Sequence, residues 1–154
     1  MKKNFFITLS LLCLLGCGGG GGGTGAGDPA PTSAILYLST TGVIPDGQLI
    51  QGVTVTVNLP AGVTMQSVTP SGLTAGTGSV VIDPANTDAS SVTFTTLGAT
   101  PFGKGEFTTV TCSIAAGHVP QATDFIVAPG SIITSNTTFE TIPSLSVTFA
   151  ADIH

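Results

Sequence analysis

Three oxygen-bearing side chains lie close together near the middle of the chain. They are Asp83, Asn86 and Asp88, in the turn-rich stretch DPANTDASS. Carboxylate and amide oxygens at such short spacing are the ligands that Ca²⁺ prefers. The glycine and the distal glutamate of an EF-hand loop are missing, and the same residue types also cap turns with their side chains. Turn capping is therefore the favoured interpretation, calcium binding is the alternative, and we predict no metal site.

Two further carboxylates, Glu106 and Asp124, form a second candidate site. Such a pair hydrolyses glycosidic bonds when the two groups flank the bond at the required separation. Their separation in space does not follow from the sequence. Glu106 begins a predicted strand next to Lys104, which favours a surface ion pair. We name no catalytic residue and expect that the protein is not an enzyme.

The two histidines and Cys112 lack the neighbouring side chains that a metal site or an activated nucleophile would need. His118 falls in a predicted loop and His154 is the last residue, so their spacing does not suit a zinc site. Cys112 alternates with Val110 and Ile114 on the apolar side of a predicted strand. A nucleophilic cysteine needs a base and a positive environment, and neither is visible. We predict solvent-facing histidines and a buried, inert cysteine.

The most specific chemical setting belongs to Cys17. Lys2 and Lys3 give the start of the chain a positive charge, residues 5–15 are almost all apolar, and Gly16 precedes the cysteine. This layout is typical of a secretory signal. A membrane-spanning helix needs about 20 apolar residues, so the apolar run is too short to cross a bilayer.

The segment Leu14-Leu15-Gly16-Cys17 resembles the lipobox of bacterial lipoproteins. The resemblance implies that residues 1–16 are a signal peptide and that Cys17, once freed, carries a diacylglycerol thioether and an N-acyl chain. One acyl chain alone binds a membrane weakly, and several bind it firmly. Gly18 is not the aspartate that retains some lipoproteins at the inner membrane, so we expect the outer membrane or the cell surface. An ordinary signal peptide cut elsewhere is the alternative.

Composition restricts the partners of the remaining chain. After Cys17 there is one lysine, no arginine and all eight acidic residues. Such a surface cannot neutralise phosphates, which excludes nucleic acid and gives no attraction to anionic lipid headgroups. Any membrane attachment must come from the lipid anchor. We expect no cofactor.

The domain boundaries follow from glycine content. Residues 17–32 contain the cysteine and a glycine-rich tract, which predicts a flexible linker, and residues 33–154 form the domain. Cys112 is then the only thiol besides Cys17, so no disulfide can form within the domain and packing alone must stabilise it.

Alternation of apolar and polar residues dominates the domain. The clearest examples are residues 53–59, 92–95, 109–114 and 145–149, and weaker examples are residues 34–38, 64–69, 79–82, 124–127 and 131–134. Turn signals containing proline, glycine or aspartate separate them. Strands with one buried and one wet face have this pattern. The sequence predicts an all-β fold, a two-sheet antiparallel sandwich of about nine strands with jelly-roll connections.

Three segments in this region resemble the cohesin-like and carbohydrate-binding-module-like β-sandwich group. They are GVTVTVNLPAGV at residues 52–63, MQSVTPSGL at 65–73 and GEFTTVTCSIAAG at 105–117, in matching order over roughly residues 33–152. The resemblance implies a nine-strand jelly-roll sandwich and carries no ligand site. Sugar-binding modules display exposed Trp or Tyr rings, and this chain has no Trp and one tyrosine, Tyr37.

We therefore expect a lipid-anchored module of the cell envelope with an interaction or structural role. Its partners would be the membrane, through the anchor, and another envelope or extracellular protein. A weak carbohydrate-binding module, with polysaccharide as the ligand, is the alternative. It rests on analogy of fold alone.

Overall fold

The computed structural model describes residues 29–154. The predicted signal peptide, the lipidation site at Cys17 and most of the predicted linker lie outside the described residues. The described chain folds into nine β-strands and three single-turn 3₁₀ helices, the latter at Gly72–Thr74, Pro84–Asn86 and Ala122–Asp124. The strands are β1 (Ser33–Gly42), β2 (Ile50–Asn58), β3 (Val63–Pro70), β4 (Ser79–Ile82), β5 (Ser91–Phe102), β6 (Glu106–Ile114), β7 (Ile126–Val127), β8 (Ile132–Ser135) and β9 (Leu145–Ile153).

The strands form two antiparallel sheets that pack face to face. Sheet A has the order β3-β6-β1-β9, and sheet B has the order β4-β5-β2-β7, with β8 also paired to β2. Strands β7 and β8 share one edge of β2, because β7 pairs with Val57 and Asn58 and β8 pairs with Ile50 to Thr54. The all-β, two-sheet antiparallel sandwich predicted from the alternation is confirmed, with nine strands.

The chain crosses repeatedly from one sheet to the other, which is a jelly-roll kind of connection. These crossings give the sandwich two ends. At the N-terminal end, Thr32 enters β1 beside the last residue, His154, and the connections 59–62, 83–90 and 115–125 turn there. At the distal end lie the connections 43–49, 71–78, 103–105 and 136–144. Strand β1, ten residues long, separates the two ends by about 30 Å.

The core lies between the inner faces of the sheets, where every second residue of the long strands is buried. Its largest fully buried side chains are Phe94 on β5 and Phe107 on β6. Aliphatic residues surround them, among them Leu36, Leu38 and Val53. Burial of each such side chain stabilises the fold by about 1.5–3 kcal/mol, and no disulfide contributes to this domain because the cysteine it contains, Cys112, is free.

One pair of polar side chains occupies the core as well. Thr96 on β5 and Thr108 on β6 are both fully buried, and their hydroxyl groups hydrogen-bond to each other between the two sheets. Thr96 stands on the inner face, so its neighbour Leu97 points outward and is 40% exposed. At this point of β5, the polar side chain is inside and the apolar one is outside.

The predicted strand at residues 124–127 is shorter in the structure. Residues Ala122–Asp124 form a 3₁₀ turn, and β7 begins only at Ile126. The Asp124 carboxylate accepts a hydrogen bond of 2.8 Å from the Gln121 N–H. This side-chain cap stabilises the turn against an extended conformation.

Candidate functional site

The outward side of sheet B carries four threonines in two facing pairs. Thr54 and Thr56 on β2 lie opposite Thr95 and Thr93 on β5. Each pair is hydrogen-bonded through its hydroxyl oxygens, at 2.8 Å for Thr54 with Thr95 and at 2.7 Å for Thr56 with Thr93. We call these four residues the threonine face. The face is polar in composition, but its hydroxyl groups already have hydrogen-bond partners in each other.

Exposed aliphatic side chains border the threonine face. Val81 lies beside Thr95 on β4, and Ile132 lies beside Thr54 on β8, so that one row across the sheet reads valine, threonine, threonine, isoleucine. Val81 is 59% exposed and Ile132 is 49% exposed. Together with the outward Leu97, they leave apolar surface in contact with water on both sides of the threonines.

A groove lies over part of this face, and three of its four threonines, Thr54, Thr56 and Thr93, line it. Residues 85–88 on one wall and residues 128–132 on the other enclose a volume of about 490 Å³, with Thr54 and Thr56 as its floor. The second wall is held by a backbone hydrogen bond of 2.8 Å from Ala128 to Thr56. The groove is open and lined mainly by hydroxyl, amide and small apolar groups.

Two carboxylates belong to the turns of the first wall: Asp88 lines the groove, and Asp83 caps the 3₁₀ turn that begins the wall. The Asp83 carboxylate accepts hydrogen bonds from the Asn86 side-chain amide and the Ala85 N–H. The Asn86 amide is the main reason that the pKa of Asp83 lies below its usual value. The Asp88 Oδ1 atom accepts from the N–H and hydroxyl groups of Ser90 and Ser91.

Because those donors favour the ionised form, the backbone N–H of Ser90 foremost, the pKa of Asp88 is also lowered. Asp83, Asn86 and Asp88 thus serve the turn-capping role favoured from the sequence. Within residues 29–154, no group of three potential metal-ligating side chains comes together.

The structure does not bring Glu106 and Asp124 together. Glu106 begins β6 at the distal end, whereas Asp124 follows the other end of β6 and lies two residues before Ile126, which pairs with Asn58. Strand β6 has nine residues, which corresponds to about 30 Å. This is several times the separation that a glycosidase pair requires.

The expected contact between Glu106 and Lys104 is replaced by other contacts. The Glu106 carboxylate accepts a hydrogen bond of 2.6 Å from the Ser71 hydroxyl. The Lys104 ammonium donates to the backbone carbonyl of Gly42 at 2.7 Å. Ser71 belongs to a distal connection and Gly42 is the last residue of β1, so both side chains make contacts at the distal end.

The histidines and the cysteine lie where the alternation and turn signals place them. His118 is exposed, with its imidazole above Gly62, and His154 is exposed at the end of β9. Cys112 is buried in the inner face of sheet A. Burial raises the pKa of its thiol to about 11, which keeps it protonated and unreactive near neutral pH.

The outward side of sheet A differs from that of sheet B. Its central large side chains, Ile35 and Tyr37, are only half-buried, with threonines opposite them on β6 and Asp152 and Ala150 opposite them on β9. No large apolar side chain that is mostly exposed lies on this side among the described residues. Tyr37, the one tyrosine of the chain, is therefore on the side opposite the groove.

The sequence analysis did not identify the threonine face as a site. The alternation of Thr54, Thr56, Thr93 and Thr95 indicated outward positions, but not that these two strands are neighbours. One signal in the sequence could have revealed this surface. In the run Thr95-Thr96-Leu97, the alternation places an apolar side chain, that of Leu97, on the outward side of the strand.

Comparison of the chain with protein-family models, with curated proteins and with solved structures finds no match. Among residues 29–154, none of the helices has the length and apolar character needed to cross a membrane.

Proposed function

We propose that the protein is a lipid-anchored module of the cell envelope that binds another envelope or extracellular protein through the threonine face. The observation that carries this proposal is the row of Val81, Thr95, Thr54 and Ile132, in which exposed aliphatic groups flank hydroxyls that are already paired. The outer membrane or cell surface is the proposed location. The two-sheet architecture also supports a relation to cohesin-like domains as part of the proposal.

Such a surface is well suited to being covered by a partner. Covering a polar group is unfavourable mainly when that group loses its hydrogen bonds to water. The hydroxyl pairs at 2.7 and 2.8 Å keep their mutual bonds when water is removed. Burial of Val81, Leu97 and Ile132 would then supply the favourable free energy. The outward side of sheet A has no comparable exposed apolar area, so it serves as a built-in control.

The test places a charge at the centre of each outward side. Thr95→Lys puts an ammonium in the middle of the threonine face, and Thr111→Lys makes the same change in the middle of sheet A. Both residues are half-exposed on central strands. The full chain of each variant is used to co-purify proteins from solubilised native membranes, and bound protein is identified by mass spectrometry.

We expect wild type and Thr111→Lys to retain the same protein at high salt, because contacts between uncharged surfaces are not screened by ions. Thr95→Lys should lose it, since an unpaired charge buried in an interface is strongly unfavourable. Equal retention by both lysine variants, with both folded, would refute the threonine face as the binding surface.

Polysaccharide binding is the second candidate, and the groove favours it. Its lining of threonine, serine and asparagine groups with the Asp88 carboxylate provides donors and acceptors for sugar hydroxyls. The absence of an aromatic ring from the described groove residues limits the affinity to weak binding. A glycan array probed with the full chain separates the candidates: binding that Asp88→Asn abolishes would favour polysaccharide over a protein partner.

The lipid anchor has its own test. Cys17→Ser removes the sulfur that would carry the diacylglycerol group, so we expect a folded protein that remains in the aqueous phase on detergent partitioning. Wild type from the native host should enter the detergent phase. Retained membrane association of the Cys17→Ser protein would count against the anchor, without bearing on the threonine face.

A further inference from the structure

Exposed apolar side chains gather at the distal end as well as on sheet B. Among residues 29–154, ten large hydrophobic side chains are exposed, and four of them lie on distal connections: Val43, Leu49, Leu73 and Phe139. Phe139 is the most exposed of all ten, at 71%. A single exposed apolar side chain is ordinary on a protein surface, so the conformation of Phe139 is the decisive observation.

Phe139 adopts a backbone conformation that the chain otherwise reserves for glycine. Nine described residues have φ in the left-handed region; eight are glycines, and the ninth is Phe139, with φ of 56°. For a bulky residue this conformation is an outlier that costs free energy. Because the ring is exposed, little burial within the domain offsets that cost. Folding alone would favour glycine at this position.

The turn that carries Phe139 is held in place from both sides. The Ser135 N–H donates to the Glu140 carbonyl at 3.0 Å, and Thr138 bonds to the Ser135 hydroxyl through both its N–H and its own hydroxyl. Asn136 exchanges two hydrogen bonds with Leu49 of the neighbouring loop, one through its side-chain oxygen and one through its N–H. The ring is thus presented on a fixed support.

We propose that Phe139 is the central contact of a second docking site, which inserts into an apolar pocket of a partner protein. Strain that persists in an ordered, exposed turn points to a function outside the domain. Aromatic side chains, phenylalanine among them, are enriched at the centre of protein interfaces. Leu49, which is hydrogen-bonded to the same turn, extends the apolar contact.

The charges around the turn favour a protein over a lipid bilayer. Glu140 follows Phe139 directly, and Asp46 lies in the neighbouring loop; both are exposed. The nearby cation, Lys104, is engaged with the Gly42 carbonyl. Anionic side chains beside the ring are repelled by the negative surface of a membrane. The pocket that fits this site therefore has a neutral or basic rim.

This docking site goes beyond the proposed function, because it is formed by other residues at another part of the sandwich. The N-terminal residues enter β1 at the opposite end. The Phe139 turn therefore lies at the end of the sandwich remote from the entry of the proposed tether.

The test uses a photoreactive benzophenone amino acid in place of Phe139, in the full chain. The matched control carries the same group in place of Val119, which is 63% exposed in a connection at the N-terminal end. Each protein is mixed with solubilised native membranes and irradiated, and the adducts are identified by mass spectrometry. Unlabelled wild type and unlabelled Phe139→Gly protein then compete with the label at position 139.

We expect one discrete protein adduct from position 139 and none from position 119. Phe139→Gly should compete at about 30-fold higher concentration than wild type, the loss typical of a dominant aromatic contact. It should also melt at the same or a higher temperature, since glycine accepts the left-handed conformation without strain. Its lost competition would then not reflect unfolding.

Three outcomes would overturn the inference: adducts with phospholipid alone, equal adducts from positions 119 and 139, or equal competition by Phe139→Gly. The threonine face is tested separately. Thr95→Lys should compete at position 139 as well as wild type does if the two sites are independent.

Discussion

Two hydrogen-bonded threonine pairs lie on opposite sides of sheet B, one within the sheet and one between the two sheets. Thr54 and Thr95 face solvent on the outward side of sheet B, with their hydroxyls 2.8 Å apart. Thr96, the next residue along β5, faces inward and bonds to Thr108 of the opposite sheet, where both side chains are fully buried. The chemistry of the two pairs is identical, and only the surroundings differ.

The difference between the pairs lies in what replaces a lost partner. On the outward side, water can bond to either hydroxyl if the other is removed. In the core, Thr96 and Thr108 bond to each other, and the described residues leave no buried side-chain polar atom without a partner. A buried polar group left without a hydrogen-bond partner destabilises the fold much more than an apolar group of the same shape would at that position. The inner pair therefore selects one packing of the two sheets, and the outer pair contributes surface chemistry.

The largest effect is expected from breaking the inner pair on one side. Thr96→Val keeps the shape of the side chain but leaves the Thr108 hydroxyl buried without a partner. We expect the free energy of unfolding to fall by about 1–3 kcal/mol. The double variant Thr96→Val with Thr108→Val should recover most of that loss, because two apolar groups then face each other. Chemical denaturation of the full chain measures both.

The double-mutant cycle gives a clear result in either direction. A favourable coupling of at least about 1 kcal/mol between Thr96 and Thr108 would support the description of the core. Additive losses, in which the double variant is less stable than either single one, would contradict it.

The outer pair should show a much smaller effect. Thr54→Val removes the bond to Thr95, and water takes its place, so we expect the free energy of unfolding to change by less than about 0.5 kcal/mol. Valine also suits a strand as well as threonine does. The same denaturation measurement applies, and Thr54→Val with Thr95→Val should show a coupling within the range of exposed cross-strand pairs, below about 1 kcal/mol. A loss comparable to that of Thr96→Val would contradict the contrast drawn between the two pairs.

Much of the fold could be predicted from local patterns. All nine predicted strands are present, and β4 has the predicted bounds, residues 79–82. The error at residues 124–127 arose because Asp124 caps a turn with its side chain, a contact that the apolar pattern of the segment does not report. The outward positions of the threonines and the inward position of Cys112 also follow from alternation, since successive side chains of a strand point to opposite faces.

The candidate sites were less predictable. Asp83 and Asp88 cap their own turns, a role that depends only on neighbours in sequence and could be favoured in advance. The sequence could not show whether Glu106 pairs with Lys104. Their actual hydrogen-bond partners, Ser71 for Glu106 and Gly42 for Lys104, come from distant parts of the chain. Phe139 gave no signal in the sequence, since apolar alternation does not report the backbone conformation of a residue in a turn.

The sequence by itself determined that the domain consists of short strands, that each strand has one apolar side, and that the surface is acidic and almost without cations. These properties are local or additive: they depend on residue type and on the two-residue repeat of an extended backbone. Only the tertiary structure decided that Thr96 meets Thr108, that Val81 and Ile132 flank the paired threonines, and that Phe139 is displayed on a fixed turn. Those arrangements depend on which strands become neighbours within and between the two sheets, and the alternation of any one strand does not specify its neighbours.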